Sequence, residues 1–458
     1  MAERYWLETL GCPKNRVDSD KLAGTLVADG YSPAGSPEEA DLVVVNTCAF
    51  IEAARQESIE VILELAGARR GGARLVVTGC LAERHGAELA RCMPEVDLVA
   101  GFGVPVTLRD SRVRTTDALP LTDSVPYGEV VPSLDLLNLP RPPAAAPWAY
   151  VKVAEGCDRR CGFCAIPQFR GAQRSRTTAE ILEETGALGE GLRELVLVAQ
   201  DLASWGLDRN ATAARGRARG EARPIVGLVR ELSRRVERVR LLYLYPSSLD
   251  EALVEAILST GVAYFDLSLQ HVSRPLLGRM RRWGDGERFL ERIAAIRAAA
   301  PHAALRSSFI LGYPGETEDD HDLLLEFLEE AQLDWAGLFT FSEESGTHAA
   351  ALGEKVPAPL ALERLRECAE IQDAVTAAKR SALIGENLQV LVDAPGVARS
   401  HREAPEIDGI VHVPRALEVG AIEEVRVTGA AGPDLWAEAI AASERAATAG
   451  ERTAGVGG

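Results

Sequence analysis

Residues 155–164 read EGCDRRCGFC, which places Cys157, Cys161 and Cys164 at a C-x-x-x-C-x-x-C spacing. A structural zinc site is normally closed by four protein ligands, whereas this stretch supplies three and has no neighbouring histidine. Three thiolates can hold a cubane iron–sulfur cluster by three of its irons, which leaves the fourth iron open to another ligand. The spacing therefore favours an open iron–sulfur cluster over the alternatives, a zinc knuckle or chance cysteines.

The chain around this stretch, from Trp148 to about Ile371, alternates strand and helix patterns. Helical patterns separate six apolar runs, which predict strands at 149–154, 195–199, 239–244, 264–269, 305–311 and 336–341. Six such units predict a partial (β/α)6 barrel, in which chemistry gathers at the carboxyl ends of the strands. Since Cys157 follows the first strand, we expect its cluster at that end of the barrel.

Residues 1–102 show an earlier alternation of the same kind, which predicts a doubly wound α/β domain with an open sheet. The predicted strands at 4–10, 42–45 and 75–77 are followed by Cys12, Cys48 and Cys80 respectively. The carboxyl ends of parallel strands meet at one edge of a sheet, where ligands bind. We therefore expect a second trio of thiolates and a second open cluster; three unrelated loop cysteines are the alternative.

The remaining segments differ from these two in composition. Residues 120–147 are rich in proline and small residues, 208–223 are rich in arginine and predict a flexible insertion, and 386–440 show short strands between Gly/Pro turns. The last pattern predicts a small all-β barrel. The predicted domains are an N-terminal α/β domain at 1–113, a linker at 114–142, the barrel at 143–378 and the β-domain at 380–446. A disordered tail is predicted at 447–458.

Composition is that of an ordinary globular protein of about three domains, with 458 residues, 47% hydrophobic and 26% charged. The sequence shows no membrane-spanning run and no secretory h-region at its start, so we expect a cytoplasmic protein. Cytoplasmic thiols stay reduced, which favours metal ligands or buried thiols over disulfides for the eight cysteines. Cys92 and Cys368 fit neither cluster and should be small buried hydrophobic residues.

The cysteine spacing resembles the signature of the radical S-adenosylmethionine (SAM) superfamily, in which SAM chelates the open iron. The order of an α/β domain with three cysteines, a radical SAM barrel and a β-domain resembles the methylthiotransferase family over nearly the whole chain. The β-domain is similar to a TRAM domain, a module that recognises the substrate. The string LGCPKNRVDSD at 10–20 resembles the ribosomal-protein (RimO-type) branch, as do 404–409 and 434–436; the tRNA branch usually carries GCQMN around this cysteine.

The resemblance implies two 4Fe-4S clusters and two molecules of SAM. One SAM would methylate a sulfur carried on the cluster of Cys12, Cys48 and Cys80. The second would be cleaved reductively to a 5′-deoxyadenosyl radical, which removes a hydrogen from the β-carbon of an aspartate in a small-subunit ribosomal protein, the one numbered twelve. The substrate radical would then capture the methylthio group. A low-potential donor such as flavodoxin or ferredoxin would supply the electrons.

Several side chains are candidate SAM contacts. The resemblance places Phe163 near the SAM adenine; the alternative is a core aromatic residue. Gln200, Ser268 and Gln270 lie at the ends of predicted strands, and Gly312 would let the backbone approach SAM closely. No side-chain acid or base is needed for the carbon–sulfur step. Residues 341–347 and the insertion at 208–223 depart from the family pattern, but neither contains a ligand cysteine.

The charge of the chain bears on the choice of substrate. The formal net charge is −18, and residues 386–440 hold ten acidic and four basic side chains, a balance of −6. A domain that grips RNA phosphates should be basic, so an acidic β-domain favours a basic ribosomal protein; the alternative is that these acids merely aid solubility. Two rival functions remain: a tRNA methylthiotransferase acting on isopentenyladenosine, and a non-catalytic iron–sulfur electron carrier or ribosome-binding redox protein.

Overall fold

A computed structural model describes residues 2–106, 135–209 and 223–440. Most of the predicted linker at 114–142, most of the arginine-rich insertion at 208–223 and the predicted tail at 447–458 lie outside these residues. The described residues form the three domains in the predicted order. In this part of the chain, no helix is long and apolar enough to cross a membrane.

The N-terminal domain is an open sheet of five parallel strands with helices on both faces, which confirms the predicted class. The strands follow the spatial order β2-β1-β3-β4-β5, so the order reverses between β1 and β3. Val43 and Val45 of β3 pack with the helices α2 and α3, while Leu42 and Val44 pack with α1 on the other face. The elements are β1 (Arg4–Thr9), α1 (Pro13–Ala28), β2 (Ser32–Pro33), β3 (Leu42–Thr47), α2 (Glu52–Ala68), β4 (Arg74–Gly79), α3 (Cys80–Cys92) and β5 (Leu98–Ala100).

The central domain is a half-open barrel of six parallel strands, as the six βα units predict. Two three-stranded parallel sheets join through a bridge between Leu244 and Leu267, where the Leu244 N–H donates to the Asp266 carbonyl at 2.8 Å. All six predicted strands are present. They are β6 (Trp148–Lys152), β9 (Glu194–Val198), β10 (Arg238–Leu241), β11 (Tyr264–Gln270), β12 (Ala304–Leu311) and β13 (Trp335–Thr340), and a short antiparallel pair, β7 (Ala154–Glu155) and β8 (Arg174–Ser175), follows β6.

Helices cover the outer face of the barrel and pack on its apolar core. The last and longest of them contacts both β13 and the C-terminal strand at 422–431, so it joins the barrel to the β-domain. α4 (Ile166–Arg170) lies instead in the loop after β6 and packs on the core of the N-terminal domain. The helices on the barrel are α5 (Thr178–Ala187), α6 (Pro224–Leu232), α7 (Glu251–Leu258), α8 (Arg274–Arg279), α9 (Gly286–Ala299), α10 (Glu318–Ala331) and α11 (Ala358–Ser381).

The C-terminal domain is a closed barrel of five strands, which confirms the predicted all-β barrel. Three strands were expected from the pattern, at 388–392, 409–413 and 423–427, and five are present; the strands at 397–399 and 434–439 were missed. The spatial order is β14-β15-β16-β18-β17, and the barrel closes between β14 and β17. The strands are β14 (Asn387–Ala394), β15 (Val397–Arg399), β16 (Val411–His412), β17 (Ile422–Ala431) and β18 (Asp434–Ala439).

Candidate metal and cofactor site

The predicted barrel trio lies in one loop at the carboxyl end of β6. The antiparallel pair β7 and β8 closes this loop at its base, so residues 156–173 project as one unit from the barrel mouth. Cys157, Cys161 and Cys164 are close enough to interact electrostatically with one another. The structure therefore brings together the three thiols that the spacing selects.

Two donors reach the sulfur atoms of this trio. The Arg159 backbone N–H donates to the Cys157 Sγ at 3.4 Å, and the Arg282 Nη1 donates to the Cys161 Sγ at 3.4 Å. The two guanidinium groups also contact the Tyr245 ring, at 3.8 Å and 4.0 Å from its centroid. Hydrogen bonds and positive charge near thiolate sulfur stabilise an anionic cluster, so these surroundings fit an iron–sulfur ligand set.

The second predicted trio comes from three separate strand ends. Cys12 precedes α1, Cys48 follows β3 and Cys80 begins α3. Electrostatic interactions link Cys48 to both Cys12 and Cys80, so sequence separations of 36 and 32 residues become neighbours in space. Cys12 and Cys48 flank the point where the strand order reverses, which is the usual ligand site of an open α/β sheet.

Glycine permits this convergence at the residue before Cys12. Gly11 has φ +89°, and a Cβ at this position would lie 2.7 Å from the Cys48 Cβ and 2.8 Å from its Sγ. Any side chain here would separate the two cysteines. Asn15 then fixes the ends of β1 and β3, because its Nδ2 donates to the Leu10 and Thr47 carbonyls at 3.0 Å.

The protonation of the cysteines also suits metal ligands. Burial raises the pKa of the thiols of Cys48, Cys157 and Cys164 to about 12, 11 and 12. At Cys12 burial acts in the same direction, but the charges of Lys14 and Arg170 outweigh it and the pKa is lowered. Buried thiols of this kind become thiolates when a metal binds them.

Among residues 2–106, 135–209 and 223–440, no three His, Cys, Asp or Glu side chains are grouped so that they could hold one metal ion. A cubane spreads its thiolate ligands over separate irons, so it does not require the sulfurs to converge on one point. Which residues are ligands stays a prediction, and these two trios are its candidates.

A buried network of charged side chains connects the trios. The Arg170 Nη2 donates to the Cys80 Sγ at 3.0 Å and to the Asn15 Oδ1 at 2.8 Å. Its Nη1 donates to the Glu155 Oε1 at 2.9 Å, two residues before Cys157. Arg170 lies six residues after Cys164 and is 9% exposed. Arg170 was not among the site residues predicted from the sequence, where the Arg-Gly pair at the end of the cysteine loop could have indicated it.

A lysine completes the same network. Lys152, 1% exposed, pairs with Asp18 of α1 and with Glu155, whose Oε2 lies 2.5 Å from its Nζ. Burial opposes ionisation of Glu155, yet Arg170 and Lys152 hold its pKa well below the usual range. The sequence signal was a charged residue inside an otherwise apolar strand, and it was overlooked. The network ties the first domain to the barrel by ion pairs that water does not reach.

Some predicted SAM contacts lie at the barrel mouth beside the first trio. Phe163 is half-buried and packs on the barrel core. The Gln200 Nε2 donates to the Glu155 Oε1 at 2.8 Å, while its Oε1 and the Asp201 Oδ1 are buried acceptors without a hydrogen-bond partner among the described residues. SAM carries ammonium, amino and hydroxyl donors, so such orphaned oxygens fit it. The contacts themselves stay predictions.

Other candidates have structural roles of their own. The Ser268 carbonyl accepts from Arg282, and Gln270 ends β11 with φ +74°, next to a register shift. Gly312 has φ +75°, and a Cβ there would lie 2.5 Å from the Ala361 Cβ of α11. Glycine at this position is therefore required for helix packing, whatever its relation to SAM.

The two remaining cysteines have different environments. Cys368 is fully buried in the barrel core, as expected. Cys92 is exposed, so the expectation that it is a buried hydrophobic residue was wrong. It is the last residue of α3, and the next residue, Met93, is the one that is buried there.

Three family models match successive parts of the chain. Residues 4–101 match the uncharacterized protein family UPF0004, residues 151–328 match the Radical SAM superfamily, and residues 384–440 match the TRAM domain. Each model falls on one of the three domains of the fold. The fold and the site thus define a radical SAM enzyme with an additional cysteine-bearing domain.

Curated relatives extend over almost the whole chain and share one name, "Ribosomal protein uS12 methylthiotransferase RimO". The relative from Frankia casuarinae is 40% identical, covering 97% of this chain and 94% of its own length. The relative from Anaeromyxobacter sp. (strain K) is 39% identical, covering 96% of this chain and 94% of its own length. The relative from Moorella thermoacetica is 41% identical, covering 88% of this chain and 91% of its own length. This chain belongs to the family of ribosomal protein uS12 methylthiotransferases, and it is a radical SAM methylthiotransferase.

A solved structure of the radical SAM methyltransferase TsrM from Kitasatospora setae, with cobalamin and a [4Fe-4S] cluster bound, is more distant. It is 16% identical with a TM-score of 0.49, covering 92% of this chain and 80% of its own. A similarity at this level has no bearing on the substrate.

Proposed function

We propose that this protein inserts a methylthio group at the β-carbon of an aspartate in ribosomal protein uS12, with one iron–sulfur cluster at each cysteine trio. The observation that carries the proposal is that side-chain contacts join the surroundings of the two trios. Arg170 contacts Cys80 of one trio and Glu155 beside the other, and Lys14 contacts the ring of Tyr243 at the barrel mouth. A group bound at one trio would be near a group bound at the other.

The residues of the chain would divide the work between the trios. When bound, a cluster with SAM at Cys157, Cys161 and Cys164 supplies one-electron cleavage of SAM, and a cluster at Cys12, Cys48 and Cys80 supplies the sulfur group. Arg159 and Arg282 hold positive charge at the first, and Arg170 at the second. The buried network around Lys152 and Arg170 keeps the two domains in register and water out of the contact between them.

The charge of the β-domain supports a protein substrate over tRNA. Three of its ten acids, Asp393, Glu403 and Asp408, turn inward and pair with arginines, and Arg399 turns inward with them. Seven acids and three arginines are left, and none of the seven acids is buried. The outward balance stays acidic, which suits a basic ribosomal protein and repels a phosphate backbone. Reaction with a ribosomal protein also places the enzyme in the cytoplasm, with a low-potential protein such as flavodoxin or ferredoxin as electron donor.

The test is a direct assay of transfer. Anaerobically reconstituted enzyme is incubated with SAM, dithionite and either purified uS12 or tRNA, and both substrates are analysed by mass spectrometry. We expect a methylthio gain on an aspartate of uS12 and none on tRNA. A gain on tRNA alone would support the rival tRNA enzyme, and no gain on either would support the electron-carrier hypothesis.

Cysteine variants separate the roles of the trios. The wild type should bind about eight irons per chain, as two cubanes require, while C80A and C161A should each bind about four. C161A should lose SAM cleavage, whereas C80A should cleave SAM and transfer no methylthio group. C92A, which removes an exposed cysteine outside both trios, should match the wild type. About four irons in the wild type would contradict the two-cluster proposal.

A further inference from the structure

Lys14 is a cation with no acidic partner at the edge of the N-terminal trio. It lies two residues after Cys12, in the first turn of α1, and its charge acts on the Cys12 thiol. Within the described part of the chain, no carboxylate forms an ion pair with it. Its Nζ lies instead over the Tyr243 ring, 3.7 Å from the centroid.

The neighbouring cations are all committed to other groups. Arg170 pairs with Asp18 and Glu155, and Arg159 pairs with Asp201. Arg306 pairs with Asp266 and Asp408, and the guanidinium of Arg282 donates to the Ser268 carbonyl and to Cys161. Lys14 therefore differs from them in that its positive charge is available to a ligand.

Tyr243 is turned towards Lys14 by its backbone. Leu241 packs between the strands and the outer helices, whereas Leu242 packs with the side chains inside the barrel, so alternation would turn Tyr243 back towards the helices. The φ of +63° at Tyr243 reverses this direction, and its ring packs with the side chains inside the barrel. A left-handed conformation at a bulky residue is uncommon and clusters at functional sites.

The phenol offers a second polar contact. The Tyr243 backbone N–H donates to the Asp266 Oδ2 at 3.0 Å, but its hydroxyl makes no hydrogen bond within residues 2–106, 135–209 and 223–440. The hydroxyl is close enough to Cys12 to interact with it electrostatically. An ammonium and a hydroxyl thus lie together where the N-terminal trio meets the barrel mouth.

We propose that Lys14, assisted by the Tyr243 hydroxyl, binds the side-chain carboxylate of the substrate aspartate. This inference rests on the proposed function, because the carboxylate is one bond from the carbon that would be modified. The carbon must lie between the trios, so its carboxylate needs a cation at that place, and Lys14 supplies it. The contact makes Lys14 a specificity-determining residue: it selects an acidic side chain over a neutral one.

A double-mutant cycle tests the contact by binding. Fluorescently labelled uS12 and its version with asparagine at the modified position are titrated with anaerobically reconstituted enzyme. The wild-type enzyme should bind the aspartate form about tenfold more tightly, equivalent to about 1.4 kcal/mol. In K14M, which keeps the aliphatic stem over the ring, this ratio should fall to about one, whereas K14R should retain most of it.

Two further variants make the outcome specific. R16M removes an exposed cation two residues further along the same helix and should keep the tenfold ratio. Y243F should reduce the ratio by about two- to fivefold, since it removes one hydrogen bond. Iron content and SAM cleavage without substrate are measured alongside, and K14Q replaces K14M if the latter does not load its clusters.

The results distinguish this inference from the function on which it rests. If the wild type transfers the methylthio group to uS12 but K14M keeps the tenfold preference for aspartate, Lys14 is not the carboxylate site. If the wild type neither transfers nor prefers the aspartate form, the proposed function itself fails. A ratio near one in K14M, with the wild-type ratio in R16M, supports the inference.

Discussion

Arg170 shows how one residue serves both cysteine trios. Its two terminal nitrogens point in fixed directions, one towards Cys80 and one towards Glu155, at 3.0 Å and 2.9 Å. The guanidinium also lies 4.7 Å from the centroid of the Phe102 ring, so one face is covered by an aromatic side chain. A planar group with several donors can make all these contacts at once, whereas a lysine ammonium cannot.

The Arg170→Met variant should therefore be strongly destabilised. Asp18 and Glu155 would keep Lys152 as their remaining buried cation, and breaking such a buried pair costs about 3 to 5 kcal/mol. Arg170→Lys should recover part of this loss, because it restores the charge without the second directed donor. Urea unfolding measures the change, with the exposed Arg91→Met as control. A loss below about 1 kcal/mol for Arg170→Met would count against this account.

At this scale the sequence indicates which cysteines lie near one another, but it does not indicate the charged network between them. Cys12, Cys48 and Cys80 were identified because each follows a strand, and parallel strands fix where their ends meet. Nothing local says that Asp18 of α1 will meet Lys152 of β6, since that contact depends on how two domains dock. Charged residues in a sequence are normally assigned to the surface, and these are buried.

At the scale of elements, the loop that begins at Arg399, the last residue of β15, closes the barrel at the end away from the cysteines. Arg399 Nη1 pairs with the Glu194 Oε2 at 3.1 Å, and the Tyr150 hydroxyl donates to the Pro405 carbonyl at 2.6 Å. Glu194 is fully buried and also pairs with Arg240 at 2.7 Å. The β-domain, which has its own core, is therefore docked on the barrel through buried contacts.

Removing one arginine of this loop should change the stability in a pH-dependent way. Burial would raise the pKa of Glu194, but Arg240 and Arg399 outweigh it and lower the pKa to about 2, against 4.5 for an exposed glutamate. A lowered carboxyl pKa contributes stability above about pH 4.5 that is lost as the pH falls towards 2. Arg399→Met should thus destabilise by about 3 to 5 kcal/mol at neutral pH.

The pH series is the discriminating measurement for Arg399→Met. The gap between variant and wild type in urea unfolding should narrow between about pH 5 and about pH 3, because the wild type loses its Glu194 contribution there. Arg415→Met, an exposed arginine outside this loop, is the control and should show no such narrowing. A constant gap would mean that Arg399 stabilises by packing alone.

The bounds of an element are predictable where they depend on the local sequence pattern, and not where they depend on contacts with distant residues. The six barrel strands and the strands that precede Cys12, Cys48 and Cys80 were predicted to within a few residues, because their apolar runs are regular, whereas the short strands β2 and β5 were not predicted. In the β-domain, β15 was missed because its three residues are too few for alternation to be visible, and β18 was missed although Leu435 and Ala437 are buried in alternation with exposed neighbours. The left-handed turn at Tyr243 was also not predictable, since it depends on what the ring packs against.

At the scale of the whole molecule, charge is distributed in a way that suits a cationic partner. The formal net charge is −18, and the β-domain contributes more exposed acids than arginines. Long-range attraction between opposite charges raises the association rate more than it changes the final contacts. It also weakens as salt shortens the screening length to about 3 Å at 1 M. The β-domain should thus affect how fast uS12 arrives rather than which atom reacts.

Neutralising exposed acids of the β-domain tests whether this domain sets the association rate and leaves the transfer step unchanged. A variant with Glu386, Glu418 and Glu438 changed to glutamine should associate with uS12 about three- to tenfold more slowly at low salt, and at the wild-type rate near 1 M salt. Stopped-flow fluorescence of labelled uS12 measures both rates. The single-turnover rate of methylthio transfer at saturating uS12 should not change, because none of these side chains lies near the cysteines. In the matched control variant, three exposed glutamates of the outer barrel helix α10, at 326, 329 and 330, are changed to glutamine. If association slowed equally in this variant, the net charge of the molecule, and not the β-domain, would attract the substrate.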